Sequence, residues 1–432
     1  MRLTTRVVEV DGKAARRYAA LQPSGTSGLV LDEGDTFDVR VENTLDVPSS
    51  LHWHGLNPPW RQDGVPYISA PPIPANKQAD YKFPAQPPGT RWMHSHFGLQ
   101  EQNLLAAPLI VRETSALKSD IQEAVILLED FSWTKPADLL AELRKPKPAM
   151  TSGVMSASTD AKMDLNDITY DAFLANDRTL ADPQVFEVDK GTDVRLRLIN
   201  GAASTNFLID LGVLQGTVLT VDGNPVVPFQ VRQFPLAIAQ RVDIRMRLPD
   251  DDKAYPVLAR GEGRRLQTGV MLRPRGGAVA KIMDMAATEA PPLTLMDETR
   301  LRATQPLANR PIDRSIPVDL TGLMTGYVWG MEVHGQGGAP VTVAQSERIE
   351  LVMRNTTMMS HPMHLHGHSF QVTEINGHAF AGAVRDTVLV PPRTTVKVMF
   401  DADNPGLWAY HCHNLYHLAA GMFTTLVYDG FT

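Results

Sequence analysis

One short pattern occurs three times in this chain and limits what it can fold into. Phe37-Asp38-Val39-Arg40-Val41-Glu42-Asn43 alternates apolar and polar residues, as do Val194-Arg195-Leu196-Arg197-Leu198-Ile199-Asn200 and Arg348-Ile349-Glu350-Leu351-Val352-Met353-Arg354-Asn355. Period-two alternation predicts half-buried strands. The closing asparagines are 157 and 155 residues apart, so the 432 residues read as three related β-domains. The first is expected over 1–114, closing after Pro108-Leu109-Ile110-Val111-Arg112. The second is expected over 115–290 and the third over 291–432, with the Pro-containing stretch Met283 to Arg310 as the crossing between them. Pro136 to Lys145 predicts a short amphipathic helix with Leu139, Leu140 and Leu143 on one face, followed by a surface loop from Met150 to Met163.

The repeat also organises the histidines. His52 and His54 follow Asn43 by nine and eleven residues, and His364 and His366 follow Asn355 by the same offsets. From Asn200 those offsets reach Ile209 and Leu211. Later in the outer domains come His94-Ser95-His96 and His411-Cys412-His413, whereas the corresponding middle stretch, Tyr255 to Arg260, has no histidine. The middle domain therefore reads as a spacer that lets the outer two meet.

Side chains two apart on a strand share a face. His52/His54, His94/His96, His364/His366 and His411/His413 thus make four same-face pairs, and eight converging imidazoles suit three copper ions. Cys412 lies between two of these histidines and faces the other way. His361 has the parity to turn with Cys412, and His417 and Met422 follow closely. Two imidazoles, a thiolate and a weak axial thioether make a blue-copper electron-transfer site. An electron entering there would have only a few covalent bonds to cross to the cluster. A single His-x-His pair is often an accident of the surface; four pairs placed by a repeat and joined to Cys and Met are not. His334 and His378, in glycine-rich segments, read as surface residues, and His368 as a residue behind the ligands.

Bulk properties exclude other classes. A net charge of −7 and a pI near 6.0 argue against a nucleic-acid binder. No apolar run approaches a membrane span. The single cysteine excludes an internal disulfide. The first residues, Met1 to Arg6, lack the apolar core of a leader, so the sequence reads as the mature form of a periplasmic or secreted protein, or else as a cytosolic one.

With these motifs the chain resembles the multicopper oxidases, and the resemblance spans nearly its whole length. It implies an all-β protein of three cupredoxin-like Greek-key β-sandwich domains, with a trinuclear cluster between the first and third. It implies four copper ions: one type 2 on His52 and His364; two type 3, on His54, His94 and His413 and on His96, His366 and His411; and one type 1 on His361, Cys412 and His417 with Met422 axial. The implied reaction takes four electrons singly from a reducing substrate and reduces dioxygen to two waters. Asp63, in Gln62-Asp63-Gly64, reads by spacing either as a turn aspartate or as a catalytic acid, and the resemblance implies proton delivery.

Two positions depart from the family's pattern. Leu418 stands where many bacterial members carry a relay acid, with Glu101 as a substitute, and Thr357 stands where copper-efflux members carry an acid that helps bind cuprous ion. The expected donor is a phenol or aromatic amine, as in laccases. The alternatives are a cuprous or ferrous donor, suggested by Met358, Met359 and Met363 near the type 1 site, and a non-catalytic copper-binding protein. No partner beyond dioxygen and the small donor is expected, and the chain is expected to be a monomer.

Overall fold

The three repeated asparagines make one and the same set of hydrogen bonds. The computed structural model describes residues 1–114, 120–145, 165–335, 338 and 340–431. In it Asn43 Nδ2 donates to the carbonyls of Val47 and Ile73, both at 2.9 Å. Asn200 Nδ2 donates to Thr205 and Leu236, both at 3.0 Å, and Asn355 Nδ2 to Met359 at 2.7 Å and Val390 at 2.8 Å. Each Oδ1 accepts the N–H two residues on, from Leu45, Ala202 and Thr357. A buried carboxamide satisfied in this way fixes how the chain leaves one sheet and enters the next.

The strands ending in these asparagines occupy equivalent places. Thr36–Asn43 lies between Arg2–Val10, which is parallel to it, and the antiparallel Gln78–Pro84. Asp193–Asn200 lies likewise between Gln122–Phe131 and Arg241–Arg247, and Arg348–Asn355 between Arg314–Leu323 and Thr395–Asp401. Each third adds a second sheet, giving six sheets among the described residues. Hairpin neighbours alternate with strands distant in sequence, such as Arg2–Val10 beside Thr36–Asn43 and Asp193–Asn200 beside Arg241–Arg247, so the chain crosses from sheet to sheet as three cupredoxin-like Greek-key sandwiches. Leu3, Phe37, Val41 and Trp53 fill the first sandwich, while one continuous apolar core runs through the middle and last thirds.

The middle repeat strand is more deeply buried than its alternation predicts. The polar face of Asp193–Asn200 is covered because it packs on the first third. Arg197 is wholly buried there, paired with Glu123 at 2.6 Å and Asp243 at 3.2 Å and donating to Thr90 Oγ1 at 3.0 Å. The expected helix forms over Pro136–Leu143, two residues shorter than its pattern, with Pro136 in the first turn and Leu143 buried. The stretch Met150 to Met163 lies outside the described residues. Met283 to Arg310 has one 3-10 turn, Glu298–Arg300, and no strand of its own. No helix is long and apolar enough to cross a membrane among the described residues.

Candidate metal centre

Two cross-strand pairings bring the histidines together. Strand His52–His54 pairs antiparallel with Gly89–His94, setting His52 opposite His94. Strand His361–Leu365 pairs with Leu407–Cys412, setting His364 opposite His411 and Met363 opposite Cys412. The equivalent middle strand, Phe207–Asp210, pairs with Tyr255–Gly261 and carries only apolar and acidic side chains.

The first and last thirds meet at these strands. His96 Nε2 lies 3.2 Å from His411 Nε2, His94 Nε2 lies 3.3 Å from His413 Nε2, and the His54 and His364 rings stack at 3.8 Å. Three imidazoles, His96, His366 and His411, form one convergent group, and His52, His364 and His366 form another.

The outward nitrogens fix the tautomers. Nδ1–H of His52 donates to the Asp63 carbonyl at 2.8 Å, that of His364 to the Asp386 carbonyl at 2.8 Å and that of His411 to the Cys412 carbonyl at 2.9 Å. His366 Nδ1–H donates to Asp63 Oδ2 at 2.8 Å, and His94 Nδ1 faces Glu101 Oε2 at 2.8 Å. His54 is reversed: its Nε2–H donates to Asp386 Oδ1 at 3.0 Å. The inward nitrogens are therefore bare. Those of His52, His54 and His364 have no partner, and Nε2 of His366 and His411 present lone pairs to each other across 3.0 Å. Facing lone pairs in a buried site repel unless a cation lies between them, so this donor set fits a group of metal ions. Nitrogen donors suit copper. Burial and the neighbouring imidazoles push His54, His94, His96, His364, His366 and His413 well below the ordinary histidine range, and burial pushes His411 down to about 4. The rings are neutral, as ligands must be.

On the opposite face of the same strand, Cys412 Sγ lies 3.7 Å from both His361 Nδ1 and His417 Nδ1, and these two nitrogens are 3.0 Å apart. The outer nitrogens face oxygen atoms: His361 Nε2 faces Thr357 Oγ1 at 2.7 Å, and His417 Nε2 lies 3.0 Å from Asp167 Oδ2. His417 is positioned by helix Leu415–Ala419, whose N-cap Asn414 accepts the N–H groups of Tyr416 and His417. Two bare imidazole nitrogens and a thiol thus converge in a wholly buried pocket. Met422 is buried beside it, its carbonyl accepting the Cys412 N–H at 3.1 Å. The ring of Trp329 packs 4.2 Å from that of His417.

Asp63 follows the 3-10 turn Trp60–Gln62 and bridges the two outer thirds, holding His366 through its carboxylate and His52 through its backbone. The turn requires Gly64: at φ +79° a Cβ there would sit 1.9 Å from the Leu51 carbonyl. Glu101 and Leu418 line one small opening onto His94, His96, His411 and His413. Burial, with Asp130 and Glu129 nearby, raises Glu101 well above the usual carboxylate range. Thr357 is buried against His361 rather than on a surface site. His368 braces the region from behind, with Nδ1–H donating to the His366 carbonyl and Nε2 2.6 Å from Tyr428 Oη. His334 is half-exposed and paired with Asp319, and His378 is exposed.

Sequence reasoning missed Asp167 and Asp386. Both contact histidines far away in sequence, and nothing marks them among the chain's 48 acids. Asp167 and Arg241, which pairs with Asp386, belong to the middle third, so that third reaches both groups of histidines rather than only spacing its neighbours.

Three family models, each described as multicopper oxidase, match residues 21–116, 122–279 and 309–430. The chain is 34% identical over 422 residues to multicopper oxidase MmcO of Mycobacterium tuberculosis, covering 91% of this chain and 80% of that one. It is 27% identical to copper resistance protein A of Escherichia coli, covering 98% of this chain and 91% of the relative. The crystal structure of Fet3p, a multicopper oxidase that functions in iron import, superposes with a TM-score of 0.79 at 20% identity, covering 99% of this chain and 89% of Fet3p; this likeness speaks for the fold alone. The matches run through all three sandwiches, including the middle one without histidine clusters, and this chain belongs to the multicopper oxidases, copper enzymes that oxidise a reducing substrate at the expense of dioxygen.

Proposed function

We propose that the protein is a four-copper, laccase-like oxidase of phenols and aromatic amines that reduces dioxygen to two waters. His361, Cys412, His417 and Met422 hold the type 1 copper, His52 and His364 the type 2 copper, and His54, His94 and His413 with His96, His366 and His411 the type 3 pair. Copper bound there supplies the one-electron chemistry and the reduction of dioxygen. The observation that carries this reading is the position of Cys412. Its side chain faces His361 and His417, while its sequence neighbours His411 and His413 face the histidines of the first third. A continuous run of covalent bonds therefore joins the two groups.

Asp63 and Glu101 supply protons. Asp63 sits between His52 and His366, and Glu101 beside His94 takes the place of the relay acid that Leu418 lacks. The phenolic donor is favoured by Met359 and Met363, which are buried to 3% and 1% exposure and act as core filler, with Met363 directly across the strand from Cys412. A second reading, oxidation of cuprous ion in copper tolerance, is favoured by the likeness to copper resistance protein A along 98% of this chain. A periplasmic or secreted location suits either reading.

Steady-state kinetics of the copper-loaded protein with a phenol, Cu(I) and Fe(II) at matched driving force tests the choice. The phenol should be preferred, and Met359→Leu should leave all three rates unchanged. A strong preference for Cu(I) that is lost in Met359→Leu would overturn the laccase reading.

A further inference from the structure

Six charged side chains from the three sandwiches meet in one buried knot behind His54. Asp386 Oδ1 accepts from Arg241 Nη1 at 2.7 Å, and Arg91 Nη1 lies 3.7 Å from Asp386 Oδ2. Arg91 and Arg241 both donate to the Asp222 carbonyl, and Arg241 also donates to the carbonyls of Thr90 and Ala239. Arg385 closes the knot, 3.1 Å from Asp222 Oδ2 and 3.2 Å from Glu298 Oε2. Three guanidinium groups balance three carboxylates, and all six residues are buried.

Only one member of the knot touches the metal-facing histidines. The Asp386 carboxylate takes the His54 Nε2–H at 3.0 Å, and its backbone carbonyl takes the His364 Nδ1–H at 2.8 Å. Thr387 Oγ1 donates to Asp386 Oδ1 at 2.9 Å and so steadies the same oxygen. As a result His54 turns its Nδ1 inward, whereas His52, His364, His366 and His411 turn Nε2 inward. Space is tight enough to exclude a side chain on the next residue. Gly55 has φ +87°, and a Cβ there would lie 2.5 Å from Arg241 Nη2 and 2.9 Å from Asp386 Oδ2.

We propose that Asp386 is a positioning residue of the copper cluster, and that Arg241 of the middle sandwich and Arg91 of the first hold it, so that the docking of all three sandwiches sets which nitrogen of His54 faces the metal. This rests on the multicopper reading and adds a role for residues outside the ligand set. An anion held by two guanidiniums is a fixed acceptor, and a fixed acceptor selects one imidazole tautomer. Asparagine cannot replace it: an amide oxygen turned to His54 leaves the amide NH2 facing Arg241.

The wild-type protein without copper gives the first test. Heteronuclear NMR of its histidine nitrogens should show His54 protonated on Nε2; protonation on Nδ1 would overturn the proposal with no metal present. Asp386→Asn gives the second. Copper competition should show affinity at the trinuclear group weakened about 10- to 100-fold, with loss of the magnetic coupling of the type 3 pair and an unchanged blue absorption. Unchanged affinity at that group would refute the role. Equal loss of blue absorption and cluster copper would reduce Asp386 to a folding residue and also refute it. If Asp386→Asn does not fold, Thr387→Val, which is nearly isosteric, should weaken cluster copper several-fold while sparing the blue site, and no change would again refute the role. Wild-type protein that binds no copper would instead sink the oxidase reading and leave the NMR result standing.

Discussion

Loading the copper-free protein with Cu(I) under anaerobic conditions should release very few protons, and the number follows from the site. Eight of the metal-facing imidazoles, those of His54, His94, His96, His361, His364, His366, His411 and His413, are pushed down chiefly by burial. A histidine pushed to about 4, as His411 is, carries a proton in about one molecule per thousand at neutral pH. Burial acts in the opposite sense on Cys412, raising its thiol well above the ordinary range. That thiol is the one ligand among these nine that must lose a proton to bind metal, so these nine should together release about one proton on loading. Eight imidazoles with ordinary values would each be about one quarter protonated at neutral pH, and the total would rise to about three. Calorimetric titration in buffers of different ionisation enthalpy separates one from three. Cys412→Ser should lower the count by one and abolish the blue colour. Release of three protons, or an unchanged count in that variant, would refute the claim that burial prepares the ligands before metal arrives.

Other expectations are sharper in single variants. Asp63→Asn should slow dioxygen reduction about a hundredfold while leaving reduction of the blue site by the donor unchanged; equal slowing in stopped-flow would count against a proton role. Asp167→Asn removes the anion 3.0 Å from His417 Nε2 and should raise the type 1 potential, by about 60 mV if the one-electron equilibrium shifts tenfold; a redox titration showing a fall would contradict this. Asn355→Ala leaves the Met359 and Val390 carbonyls without their donor and should cost about 3 kcal/mol in denaturant unfolding of copper-free protein; a cost within experimental error would show that the repeated carboxamide is dispensable. His368 and His411 are held at about 4 when folded, against about 6.5 for an ordinary histidine. The unfolded chain therefore binds more protons between these values, and copper-free stability should fall as pH drops from about 6.5 toward about 4, by up to about 3 kcal/mol per group. A flat unfolding midpoint across that window would exclude neutral burial.

Sequence made the fold legible where one local rule repeats. Alternation announced the strands of Asn43, Asn200 and Asn355, and the shared carboxamide geometry explains why the offsets to His52 and His364 agree. The histidine pairs were legible because their spacing is local, although only His52 and His54 share one strand; His96, His366 and His413 lie just past the ends of theirs. The polar face of Asp193–Asn200 was not: whether Arg197 meets water or Asp243 depends on packing against Thr90 of another sandwich. The residues behind the ligands escaped for the same reason. Asp386 lies 332 positions from His54, and Asp167 is one acid in an unpatterned stretch. Glu101 enters the sequence reading only as a substitute for the acid missing at Leu418, and it is the turn Glu101–Asn103 that brings it onto His94.

Because His411, Cys412 and His413 are consecutive, the pleat of the chain acts as a ruler between the pocket of Cys412 and the histidines gathered between the outer thirds. At about 3.3 Å per residue it is short and nearly inelastic, so substitutions elsewhere can retune either end without altering the interval. The interval changes only if the count of residues changes. A single insertion beside Cys412 would invert which side of the ribbon each ligand faces, so this stretch should tolerate substitution around it far better than any change in length.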